Sequence, residues 1–405
     1  MRTLKPLALA IIAAMSTQAF AADNSAEIRQ VGTDNVAEST QTGGTELISN
    51  QRQFGTGDDA VSVQRGGIAN GIYQTQEVFS SSNDLEARQT GGAMSQILQF
   101  QDNGSNNVAG AYQGDSVSSS IHQMQYSDSS YAMANQSRTT FSTIHQYQGD
   151  DSQTAYTTQS NSVEVEASSR QYGSANLSNI NQLDSANSKV TVWQDGGANE
   201  TEITQQFASD SDAYAASYGV GNITSITQTG STITADVRAT GNGNSVDLIQ
   251  SGTNVDGVVG QLGNNNTVSV NQSGEVLSSA SFQIGDNNVI ASEQLGHQLS
   301  SRVEQTGNGN STTISQTGTS LSLTADVSGN NNEIVAAQSV YDNALDMVQD
   351  GESNLINVSQ FGMGNDATMG QVGADNIASL TQLGSNDAAS MLQSGTGNTA
   401  TVTQR

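Results

Sequence analysis

The 405-residue chain has no cysteine, one proline, one tryptophan and three histidines. Without thiols there is no disulfide, no thiolate nucleophile and no zinc–thiolate site, and three histidines leave little material for a triad or a histidine metal centre. Cations are scarce as well: 12 Lys and Arg stand against 39 Asp and Glu, a net charge of −27. Such an acidic chain repels nucleic acid and anionic lipid, which excludes both as principal partners. Only 34% of the residues are hydrophobic and 13% charged, where an ordinary globular domain has roughly 25% charged. The first figure argues against the single large oily core of an enzyme of this length; the second is too low for charge-driven disorder. Beyond the N-terminus no apolar run approaches a membrane span, and the apolar outer band and aromatic girdles of an outer-membrane barrel are missing.

Residues 1–21 read as a Sec signal peptide: Arg2 and Lys5 form the positive region, Leu7 to Met15 the apolar core, and Ala19-Phe20-Ala21 the cleavage site. Cleavage before Ala22 leaves ten basic against 39 acidic residues and removes Pro6, the only proline. No residue that remains is barred from a continuous β ladder. The expected organisation is a signal peptide over 1–21, a short N-terminal segment over 22–29 and a repeat array over 30–405.

Glutamine carries the array. Gln113, Gln136, Gln159, Gln182, Gln205 and Gln228 recur at a step of 23, and Gln250, Gln272, Gln294, Gln316, Gln338, Gln360, Gln382 and Gln404 at a step of 22. Gln41, Gln64 and Gln89 extend the series to seventeen copies. Eleven residues before each lies a second mark, which is Gln in twelve copies, Gln30 and Gln53 among them, and Val78, Asp102, Ser217, Ala239 or Val327 in the rest. Between the marks runs Gln-x-Gly-x-x-Asn-x-(Ala/Val/Ile/Thr)-x-x-x-Gln, as in Gln371-Val-Gly373-Ala-Asp-Asn376-Ile-Ala378-Ser-Leu380-Thr-Gln382.

Asn376, Ala378, Leu380 and Gln382 are two apart, so they share one face of a strand. The Gly- and Asn-rich stretch supplies a turn, since both residues tolerate positive φ. The apolar residues never fall into a helical period. The expected fold class is therefore all-β, a parallel β-solenoid of about 17 strand-turn-strand rungs, roughly 80 Å long at the usual strand spacing. Its inward columns are the glutamines named above together with Asn35, Asn266, Asn288, Asn310, Asn332, Asn354, Asn376 and Asn398. Its turn glycines are Gly263, Gly285, Gly307, Gly329, Gly351, Gly373 and Gly395. Amides stacked in this way satisfy one another and avoid roughly 1–3 kcal/mol per buried unpaired group. A one-residue slip would reverse every face, so the change of step from 23 to 22 must be absorbed in a turn.

Little else carries chemistry. His122 and His145 are 23 apart and fall on the outer face of successive rungs; two imidazoles are a weak metal candidate, and the plain reading is a solvated pair. Acidic pairs such as Asp150-Asp151 lack the nonapeptide of calcium β-rolls. Phe54, Tyr126, Tyr172, Tyr218 and Phe361 each follow a mark by one residue, which suits turn corners or contacts between filaments. The sequence points to no catalytic group, cofactor or metal, and to a protein that is not an enzyme.

The repeat unit at its 22 to 23 residue period, behind a Sec signal, resembles the curlin repeat of curli fibre subunits over Gln30 to Gln404. The resemblance implies a secreted structural subunit that crosses the periplasm of a Gram-negative cell and polymerises outside it into a functional amyloid, serving biofilm matrix, adhesion and aggregation. It implies as partners other copies of the chain, other curlin-like subunits, and the curli secretion channel with its chaperones. It also implies that the matching Gln and Asn residues are the stacking ladders and that the terminal repeats respond most to seeding. Two alternatives stand beside this reading: the minor, nucleating subunit of such a fibre, and a soluble or surface-attached β-solenoid module that binds a glycan or ice.

Overall fold

The computed structural model describes residues 23–77 and 80–405; the segment 1–21 that reads as a signal peptide, and Val78, lie outside the described residues. The described chain is all-β, with thirty strands and no helix. Each rung has a leading and a trailing strand. In the first these are Ser25–Gln30 and Val36–Thr42, and in the seventeenth Ala388–Thr396 and Thr399–Gln404. Leading strands stack on leading strands and trailing on trailing, always parallel: Gln30 pairs with Gln53, Gln41 with Gln64, and Gln382 with Gln404. The result is the expected β-solenoid of about 17 turns.

The alternation of side chains turns every second residue inward, and neighbouring rungs trade volume across the thin core. In rungs three to five the leading strands bring Ile72, Ile97 and Ile121, and the trailing strands Ala87, Ala111 and Ala134. From rung seven the sizes exchange: Ala167 and Ala213 lead, and Ile180 and Ile226 trail. A second apolar column of Ile233, Val255, Leu277, Leu299 and Leu321 fills one corner farther along.

Length changes sit in turns, where they leave strand register intact. In the 23-residue rungs the turn after the trailing Gln carries a left-handed residue, such as Asp184 (φ 51°) or Phe207 (φ 52°). After Gln228 a single glycine, Gly230 at φ 131°, replaces the pair Phe207-Ala208, and the strand runs straight through as Ile223–Asn242. One residue is lost and the step becomes 22.

Two positions differ from the fixed eleven-residue spacing. That spacing put Val78 and Asp102 on the leading column, whereas the structure puts Gln76 and Gln101 there: Gln53 pairs with Gln76, Gln76 with Gln101, and Gln101 with Gln125. The surplus residues lie in the turns just after Gln76 and Gln101. Pairing selects the amide column over equal spacing, because an inserted turn residue costs little and a broken register costs a whole strand.

Candidate functional site: the amide ladders and the end rungs

The trailing glutamines form an unbroken chain. From Gln41 through Gln64, Gln89, Gln113, Gln136, Gln159, Gln182, Gln205, Gln228, Gln250, Gln272, Gln294, Gln316, Gln338, Gln360 and Gln382 to Gln404, each Nε2 donates to the Oε1 of the next at 2.8–3.1 Å. The other amide proton is commonly spent on a backbone carbonyl across the arch, as from Gln338 to Ser322 at 3.0 Å. Buried amides in low dielectric, with both polar ends occupied, are well satisfied. Every one of these ladder bonds points the same way, from the lower-numbered rung to the higher.

The leading ladder has gaps. It runs from Gln30 and Gln53 through Gln171 to Gln194, stops at Ser217 and Ala239, resumes from Gln261 to Gln305, stops at Val327 and resumes from Gln349 to Gln393. Because the bonds share one direction, each gap should orphan the acceptor that follows it. Gln261 Oε1 after Ala239 and Gln349 Oε1 after Val327 are indeed buried without a partner.

Asparagine and glycine columns interlock in the turn after the leading strand. Asn310, Asn332, Asn354, Asn376 and Asn398 each donate a backbone N–H to the Oδ1 of the asparagine one rung earlier at 3.0–3.1 Å, and Asn266 and Asn288 do the same. Their Nδ2 groups reach forward to glycine carbonyls: Asn266 to Gly285, Asn288 to Gly307, Asn310 to Gly329, Asn332 to Gly351, Asn354 to Gly373 and Asn376 to Gly395, at 2.7–2.9 Å. Asn35 makes the equivalent bond to Gly55 at 3.0 Å. The glycines must be bare: a Cβ on Gly263 (φ 131°) would stand 1.9 Å from the Gly285 carbonyl oxygen.

A third glutamine column escaped the sequence reading. Gln51, Gln74, Gln99, Gln123 and Gln146 lie two residues ahead of the leading ladder, are buried and are joined by four bonds of 2.8 Å. The available signal was the doublet Gln-x-Gln, as in Gln99-Phe-Gln101 and Gln123-Met-Gln125. His122 and His145 pair directly in adjacent strands, half-buried, with ring centroids 4.8 Å apart and edge to face. Burial lowers both pKa values, helped for His122 by its partner. Among the described residues no group of three or more potential ligands surrounds a metal-sized space.

At the two ends the columns are open to solvent. All of Ser25–Gln30 is exposed, whereas Ser49, Gln51 and Gln53 one rung inward are buried. Gln30 and Gln41 donate inward, and among the described residues nothing donates to their Oε1 atoms. At the far end Gln404 accepts from Gln382 and donates to the Ala388 carbonyl, which leaves one amide proton. One end therefore offers acceptors and the other donors.

These features define a β-solenoid repeat protein whose interior is a stack of directional amide ladders. Residues 241–274, 342–373 and 373–405 match the family model of the curlin associated repeat. These three stretches are curlin associated repeats, and they lie in the C-terminal part of the solenoid. All three matched stretches lie where the rungs have 22 residues. No curated protein matches the chain. Among the described residues no helix is long and apolar enough to cross a membrane.

Proposed function

We propose that the chain is a structural subunit of an extracellular, curli-like amyloid fibre, which grows by seating the last rung of one copy on the first rung of the next. The observation that carries this is the common direction of the glutamine ladders, which leaves acceptors at one end and donors at the other. In-register docking sets Gln393 and Gln404 of one copy against Gln30 and Gln41 of the next. Met391 then covers Ile28, and Val402 covers Ser39. Ile28, 41% exposed in the single chain, is thereby removed from water, and the exposed strand edges find partners. Export, the secretion channel and its chaperones, and a place in biofilm matrix, adhesion and aggregation are supported by the curlin repeats rather than by the geometry. The reading as a non-enzymatic fibre protein rests on the same repeats.

The test is growth of purified chain lacking residues 1–21. Fibres with reflections at about 4.8 and 10 Å and a lag abolished by seeds are expected. Gln404→Ala should slow elongation while leaving the unfolding midpoint of the single chain unchanged. Monodisperse rods that persist for days at micromolar concentration would overturn the reading and favour a soluble binding module.

A further inference from the structure

One outer corner carries a run of rings. Phe100, Tyr126, Tyr147, Tyr172 and Trp193, one from each of five successive rungs, stand with centroids 5.6, 5.4, 5.3 and 5.3 Å apart. They lie alternately one residue before and one after the leading Gln, so they zigzag rather than superpose. Adjacent rings are tilted by 36–47°. Their faces are spent on one another, which removes the free ring face that a sugar or a planar ligand would need.

A glycine makes room for the two tyrosines of the run that stand 5.3 Å apart. Gly149 stands between Tyr147 and Tyr172, and a Cβ there would lie 2.8 Å from Tyr172 Cδ1, 3.1 Å from Tyr172 Cε1 and 3.2 Å from Tyr147 Cε1. The two Cε1 atoms, each ortho to its hydroxyl, thus converge on the space that the glycine leaves vacant. Burial, then the neighbouring phenols, push the Tyr147 pKa up, so its hydroxyl stays protonated in neutral solution. Trp193, the only tryptophan, extends the line of oxidisable rings to 5.3 Å from Tyr172.

We infer that Tyr147 and Tyr172 are a site of oxidative coupling, at which hydrogen peroxide acting through a haem peroxidase joins two adjacent rungs by an intrachain dityrosine bond. Each phenol loses one electron and one proton, and the peroxide takes up both electrons and both protons to give two waters. The two phenoxyl radicals form one carbon–carbon bond between ortho ring carbons. The hydrogen on each coupled carbon then moves to its oxygen, which restores both rings and both hydroxyls. In a chain without cysteine this bond does the work of a disulfide, tying rung six to rung seven where both rings are already held.

The experiment treats dilute, folded chain with peroxidase and hydrogen peroxide, then denatures and digests it with trypsin. Cleavage after Arg138, Arg170 and Lys189 places Tyr147 in peptide 139–170 and Tyr172, as the only tyrosine, in peptide 171–189. The expected product is these two peptides joined, two hydrogens lighter than their sum, with fragmentation locating the link at Tyr147. In Tyr147→Phe, which keeps the ring, the species should vanish. In Gly149→Val, which keeps both phenols and wedges the rings apart, its yield should fall at least tenfold, circular dichroism confirming the fold of each variant. A mixture of isotope-labelled and unlabelled chain should give no mixed-label product. Mixed-label coupling as the main product, a wild-type yield in Gly149→Val, or a link located at Tyr156 would overturn the assignment.

Discussion

Ser80 Oγ donates to Asp58 Oδ2 at 2.7 Å inside a column where the next two rungs carry Asn83 and Asn107. Asp58 is fully buried, and its Oδ1 accepts the Asn83 N–H at 3.1 Å, the bond an asparagine Oδ1 makes elsewhere. What it cannot do is donate forward, as Asn83 does to the Gly104 carbonyl.

Burial raises the Asp58 pKa despite those two hydrogen bonds and with a contribution from Asp59. Between the ordinary value of 3.8 and the raised folded value the native chain binds more protons than the unfolded one. Stability therefore falls as pH rises through that window and stays lower above it. Asp58→Asn should remove this dependence and add a donor to the Ser80 carbonyl, a gain of about 1 kcal/mol at neutral pH. Hydrogen exchange of rungs one to three at pH 4 and pH 7 checks it; slower exchange at pH 7 in wild type than in the variant would refute it.

Val340 stands in a glycine column. Its φ is 89°, between Gly318 at 146° and Gly362 at 126°, with which it pairs in register. A β-branched residue there is strained by about 1–3 kcal/mol. Val340→Gly should raise the denaturant midpoint by an amount at the low end of that range, since glycine restores some unfolded-state entropy. The reciprocal Gly351→Ala, with a Cβ 1.9 Å from the Gly373 carbonyl oxygen, should lower it by several kcal/mol. Equal midpoints in all three chains would remove strain as the reason for the column.

Much of this architecture was legible because identical side chains must superpose in a parallel, in-register stack, so period in sequence becomes position in space. The trailing glutamines stand out in the sequence because their step is a constant 23 from Gln113 to Gln228 and a constant 22 from there on. The leading column was misread at Val78 and Asp102 because equal spacing treats turns as rigid, and turns are where residues are added. The column from Gln51 to Gln146 was missed because it ends after five rungs, where Ser169 and then Val192 take its place and the trailing partners grow to Ile180 and Ile203. Nor does the sequence by itself give the direction of the amide bonds, which decides which end donates.

The histidine pair responds to acid in the opposite sense to Asp58. Burial lowers both pKa values; His145 is raised by Glu166 and lowered by Arg170 and Lys189. The stability each contributes is fully present above the ordinary value of 6.5 and is lost as pH falls through the depressed folded value. Exchange protection in rungs five and six should therefore drop as the solution is acidified from 6.5 down through the depressed folded value. The double variant His122→Leu/His145→Leu, which continues the Leu98 column, should abolish the drop. A drop that survives in the double variant would place its origin elsewhere.

A buried Val→Gln change ordinarily costs stability, because an amide is moved from water into a dry interior. At Val327 the surroundings reverse that expectation. The position lies on the leading column between Gln305 and Gln349, where every neighbouring rung already accommodates a glutamine. Gln349 Oε1 waits buried and unpaired, and Gln305 Nε2, lacking an amide partner ahead, donates to Thr312 Oγ1 at 2.9 Å. Val327→Gln would accept from Gln305 and donate to Gln349, closing the gap and removing an orphan that costs roughly 1–3 kcal/mol. Against this stands the loss of a buried valine, about 1.5 kcal/mol, so the net change should lie between neutral and a gain of about 1 kcal/mol. Val303→Gln, one rung earlier but off the ladder, has no amide above or below it and should lose several kcal/mol. Denaturant midpoints of the two single variants decide the matter: equal losses would show that the ladder adds nothing to the burial of an amide, and a spared Val327→Gln would show that stacking is what makes so polar an interior stable.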